Sequence, residues 1–252
     1  MLIYHRVGGG SGTEVDLSPQ AFDEQMAWLA ATGRVMSLDE AVDLTRTGDI
    51  WVFRGTSVAD RAIRISTNSP VNHVGMALVL DDLPPLMWHA ELGRSLPDVW
   101  TGGHHRGAQV HDLRDAVVTW VEKYGQRVWL RQLHATVTGE MEDAALRTVA
   151  RLDGTAFPST MRLASRWVAG RLPRVPWPRR RPREAGDDAS GSAGMETAFC
   201  AEIVAVTYQA MGLLEPGRRP NWYDPGRFWS GKDLGLTGGA TLGGEIEVTV
   251  ST

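Results

Sequence analysis

The chain has 252 residues, 42% of them hydrophobic and 22% charged, with a formal net charge of −4 and a single cysteine. That length allows one well-buried domain with appendages, and the composition excludes a disordered or fibrous protein. A weakly acidic balance argues against a dedicated nucleic-acid binder, and one cysteine excludes an internal disulfide and any multi-cysteine metal site.

The opening, MLIYHRVGGGSG, has too short an apolar run for a signal peptide. No apolar run approaches the ~20 residues of a membrane-spanning helix, so the sequence as written reads as soluble and cytoplasmic. Residues 1–45 read as a separate unit. It begins with a short strand and a glycine loop. A helix follows, with Ser18 as cap, Pro19 at its first position and Phe22, Met26 and Leu29 at helical spacing up to Gly33. A second helix is expected over SLDEAVDLTR, where Ser37 and Glu40 have the spacing of a capping box.

From Gly48 the pattern turns to strands. GDIWVFRG is followed by a helical stretch, VADRAIRISTN, and then by VNHVGMALVL and PLMWHAEL, which a turn of aspartates and prolines joins as a hairpin. Asp49 is placed to bond backbone N–H groups at the strand entry. A strand at AQVHDL, a helix at AVVTWVEKYG, a strand at VWLRQLHA and a helix at GEMEDAALRTVARLDG come next. Residues 171–195 combine prolines, arginines, glycines and serines and read as a flexible insert. TAFCAEIVAVTYQAMGLL is then strongly helical, and GGEIEVTV ends the chain as an alternating strand.

Two positions carry chemistry on these readings. Thr197 as a helix cap would place Cys200 in the first turn, where free N–H groups and the helix dipole favour a thiolate. A thiolate nucleophile needs a general base, and His73 at the start of VNHVGMALVL is the candidate, with Gly75 beside it allowing close approach. His89 and Glu91 are two residues apart in WHAEL and share a face, so either can orient His73.

GDIWVFRG, SPVNHVGMALV, the hairpin to LMWHAE and the later FCAEIVAVTYQAMGLL together resemble the YiiX-like, circularly permuted members of the NlpC-type papain-like superfamily, with lecithin:retinol acyltransferase a distant relation. The resemblance spans roughly residues 46–235. It implies an α+β, permuted papain-like fold in which a cysteine helix packs on an antiparallel sheet. It also implies a hydrolase or acyltransferase acting on an amide or ester bond of a peptide, cell-wall or lipid substrate, without cofactor or metal. Cys200 matches the nucleophile and His73 the base. His89 matches the third residue because Trp88-His89-Ala90 has the family's form, while Glu91 stays an alternative because many relatives carry Glu there. A module that keeps this fold to bind a ligand without catalysis is the competing class.

YHRV and SPQAFDEQMAWLAATGRVMSLDEAV resemble instead the opening of polysaccharide deacetylases. Neither the aspartate-rich metal motif nor the spaced histidines of those enzymes follows, because His104, His105 and His111 lie in and beyond a Gly-rich loop without ligand spacing. Residues 1–45 are therefore expected to be non-catalytic, and 46–252 to form the cysteine domain. The arginine run from Arg171 to Arg183 reads as a solvated tether rather than a specific nucleic-acid site, and with Trp167 and Trp177 it allows weak membrane-surface association.

Overall fold

The computed structural model describes residues 6–8, 16–31, 35–57, 60–61, 64, 68–155 and 192–250, and of 6–7, 16–17, 27–31 and 192–198 the backbone alone. The fold is mixed α+β, built on a mostly antiparallel sheet. Its strands are β3 (Val35–Ser37), β4 (Ile50–Arg54), β5 (His73–Leu78), β6 (Leu86–Glu91), β7 (Gly107–Asp112), β8 (Arg127–Arg131) and β11 (Ile246–Thr249), in the order β3-β11-β8-β4-β5-β6-β7. All neighbours are antiparallel except β3 and β11. Two short pairs lie outside this sheet, β1 (Arg6–Val7) with β2 (Asp16–Leu17) and β9 (Leu133–His134) with β10 (Thr241–Leu242).

The α-helices whose ends fall among the described residues are α1 (Pro19–Ala31), α2 (Leu38–Leu44), α3 (Leu113–Val118), α4 (Gly139–Leu152) and α5 (Ser192–Ala210), with short 3-10 turns at Pro220–Trp222 and Pro225–Phe228. Both faces of the central strands are apolar, so the sheet must be covered on both. Ile50, Val52, Val74, Met76, Trp88 and Val110 form one core with α4 and α5. Trp51, Phe53, Ala77 and Met87 form the other with α2, α3 and the π-helical turn Thr119–Lys123 that continues α3. Across the first core Trp88 Nε1 donates to Thr207 Oγ1 of α5 at 3.0 Å.

The expected boundary at residue 45 does not fall between structural units. Ser37 and Glu40 form the expected capping box. The helix they start, α2, buries Leu38 and Ala41 in the second core, and β3 just before it is an edge strand of the main sheet. The pairing of β3 with β11 joins residues near the two ends of the chain, which no local pattern could announce. The helical stretch expected within VADRAIRISTN falls largely outside the described residues, as does the insert up to residue 191; from Ser192 the backbone is already helical.

Asp49 does what its place in the GD turn implies: Oδ2 accepts from Arg46 N at 2.9 Å and Oδ1 from Leu133 N at 2.7 Å. Burial nevertheless pushes its carboxyl up to about 6, against those two hydrogen bonds. Asp49→Ala strands two backbone donors and should cost about 1–3 kcal/mol. In urea titrations its midpoint should fall well below that of the parent, with Asp49→Asn in between.

Candidate functional site

Strand alternation sets the site. Phe53 is directly opposite His73, and His89 is directly opposite Gln109, so these four side chains leave the sheet on the same side. His111 is two residues beyond Gln109 on β7 and shares its face. Gly75 makes room between them, because a Cβ there would meet Met87 Cγ at 2.9 Å and His89 Cβ at 3.3 Å.

The result is a line of imidazoles across three strands. His73 Nε2 lies 3.0 Å from His89 Nδ1, His89 Nε2 lies 2.8 Å from His111 Nδ1, and His111 Nε2 lies 3.2 Å from Gln109 Oε1. Trp120, from the π-helical turn, covers the line with its ring centroid 4.0 Å from that of His73 and 5.3 Å from that of His89. Phe53 stands at 5.7 Å from His73 and packs against Trp120 at 4.7 Å, on the same side of the imidazole. All three imidazoles are buried, His89 completely.

Burial is the main cause that holds them neutral. It pushes His73 and His89 well below the usual histidine range, with the neighbouring imidazoles adding to the effect. His111 is lowered to about 4, mainly by burial and partly offset by the Asp98 carboxylate. Burial also raises the carboxyl of Glu91, whose Oε2 accepts from Ser95 Oγ at 3.2 Å while Oε1 has no hydrogen-bond partner.

Of the residues singled out in the sequence, the structure joins His73 and His89 directly. Glu91 lies on the same face and bonds Ser95 rather than either histidine. Cys200 is elsewhere. It is fully buried in the core between the sheet and α5, with Val74 and Ile203, whereas His73 packs with Phe53 and Trp120 on the opposite face.

The helix-head placement of Cys200 also changes. α5 begins at Ser192, so Cys200 lies more than two turns inside it, and the dipole acts only over the first turn. Thr197 is an interior helical residue rather than the cap.

His111 and Gln109 were not recognised in the sequence as part of this line. The signal was there in AQVHDL, whose alternation puts Gln and His on one face of a strand. Deciding that this face adjoins His89 needed the pairing of β6 with β7. Asp98, His105 and Asp153 form a second polar group, with one ligand atom from each within 4.8 Å of the others. The two oxygens of Asp98 already serve the fold there, accepting from Val110 N and from the backbone and hydroxyl of Thr101.

The chain matches no protein-family model and no curated protein. Among solved structures it is similar to the metalloprotein YiiX of Escherichia coli O157:H7, at 18% identity and a TM-score of 0.36, over 65% of this chain. The chain spans 64% of that protein's length. Among the described residues, no helix is long and apolar enough to cross a membrane.

Proposed function

We propose that the chain is a thiol hydrolase or acyltransferase of the permuted papain-like kind, acting on an amide or ester bond of a peptide, cell-wall or lipid substrate. Cys200 is the nucleophile, His73 the base and His89 the residue that holds the base. The observation that carries this reading is the hydrogen bond between His73 Nε2 and His89 Nδ1. A general base needs a fixed ring and one nitrogen left for the proton it takes, and a partner on Nε2 leaves Nδ1.

In the reaction the thiol proton passes to His73 Nδ1 as sulfur adds to the carbonyl carbon. The imidazolium returns that proton to the leaving group, and water or another acceptor then resolves the thioester. Because burial keeps His73 neutral, it acts as a base during attack and not as a standing partner of a thiolate. No cofactor or metal takes part. Cys200 and His73 lie on opposite faces of the sheet in this structure, so the reading requires a rearrangement that brings the sulfur to His73 Nδ1, and opening of α5 alone does not supply it.

A second reading has its own observation. A fully buried cysteine deep in a helix, on the core face away from the histidines, fits a module that keeps the fold to bind a ligand without thiol chemistry.

Labelling of the folded full chain with electrophilic acyl probes separates the two. On the first reading Cys200 is acylated under native conditions, His73→Ala slows this by at least about a hundredfold, His89→Ala by less, and Glu91→Gln hardly at all. Labelling that appears only after unfolding in urea, or at the same rate in His73→Ala, would overturn the first.

A further inference from the structure

We propose that Gln109 sets the tautomers of all three histidines, through His111 and His89, so that His73 presents a bare Nδ1 lone pair. The inference rests on the preceding reading only for the use to which that nitrogen is put.

The argument starts at the amide, whose two ends have opposite hydrogen-bonding character. Gln109 Nε2 faces three backbone carbonyls, those of His105 at 3.1 Å, Gly107 at 3.3 Å and Glu91 at 3.4 Å. Turning the amide over would set its oxygen against three other oxygens, so Nε2 stays there as donor and Oε1 faces His111 as acceptor.

A neutral imidazole carries one N–H and one lone pair, and this makes each link dictate the next. His111 Nε2 must donate to Gln109 Oε1, which leaves His111 Nδ1 as an acceptor. His89 Nε2 must then donate to it, leaving His89 Nδ1 as an acceptor. His73 Nε2 donates in turn, and the remaining nitrogen of His73 is Nδ1 without a proton. Reversing the line would require a donor where Gln109 offers an oxygen.

The environment keeps the line in its neutral form. Phe53 and Trp120 pack together on one side of His73, and Asp98, His105, His104 and the Leu96 backbone act on His111. Gln109 and His111 are thus positioning residues, which never touch a substrate and act on it only through His89 and His73. When His73 Nδ1 takes a proton from a thiol, the new imidazolium still donates from Nε2 to His89, so no other link has to rearrange.

Ring-nitrogen NMR of the full chain carrying 15N-histidine tests this near pH 7, with signals assigned from single histidine substitutions. The expected result is that His73, His89 and His111 all carry their proton on Nε2. A proton on Nδ1 of any of them in the parent protein overturns the proposal, whatever the variants do. In folded Gln109→Leu the His111 signals should move toward a mixture of the two tautomers. Unchanged signals in that variant would overturn the role of Gln109.

Acyl-probe labelling of Gln109→Leu should slow by at least about tenfold, because part of the population then offers an N–H where a base is needed. An intact all-Nε2–H pattern in a parent protein that no probe labels would refute the thiol chemistry while leaving the tautomer line standing.

Discussion

A chain beginning at Thr45 should lose about 3–6 kcal/mol of stability, and its thermal unfolding should become broad or disappear. Leu38 is 5% exposed and Ala41 fully buried, both in the core that also holds Trp51, Phe53 and Trp120. Burial of a leucine contributes about 1.5–3 kcal/mol, and each ladder hydrogen bond of β3 to β11 about 0.5–1.5 kcal/mol. Removing β3 also leaves β11 as a new edge, with Val248 and the buried face of β8 beneath it more open to water. A typical domain has only about 5–15 kcal/mol in total, so the loss is a large fraction of it. The ion pair between Asp39 and Arg114 is exposed and its loss adds little. A truncated chain that melted as sharply and at the same temperature as the parent would show that residues 35–44 are not integral to the sheet.

Acid should destabilise the protein well above the range where carboxylates ordinarily titrate. His111 falls from an unfolded value near 6.5 to about 4 in the folded protein. Between those two values the unfolded chain binds a proton that the folded one does not. Stability therefore falls as pH is lowered through the window, by about 3 kcal/mol for His111 alone. His73 and His89 shift in the same direction and deepen the loss.

Asp49, raised to about 6, acts oppositely in part of this window, because there the folded state holds the extra proton. The clean quantity is therefore a difference. Urea unfolding free energies measured from pH 7 to pH 4 should fall less steeply in His111→Gln than in the parent, by about 3 kcal/mol over the window, with the contribution of Asp49 cancelling. Parallel curves would mean that His111 is not held neutral by its surroundings.

The hairpin of β5 and β6 was legible in the sequence because everything that defines it is local. Two β-rich runs, a turn of aspartates and prolines between them and side-chain alternation suffice to put a residue of one strand beside a residue of the next. Alternation alone thus put both His89 and Glu91 on the face that can meet His73, and the preference for His89 came from the family resemblance. The capping box of α2 and the bond from Arg46 N to Asp49 were legible for the same reason, since the groups lie within a few residues, whereas the bond from Leu133 N, 84 residues away, was not.

Tertiary structure decided the rest. His111 and Gln109 enter the site only because β7 pairs with β6 in the register that sets Gln109 against His89, and a Gly-rich loop hides that register from any local rule. β3 joins the sheet because the far end of the chain folds back beside it. The position of Cys200 depends on where α5 begins and which core it covers. The sequence by itself determined which side chains alternate and which turns close, because those follow from bonded neighbours. The assembled site depended on contacts between distant segments, whose free energy comes from burial that no single segment achieves alone.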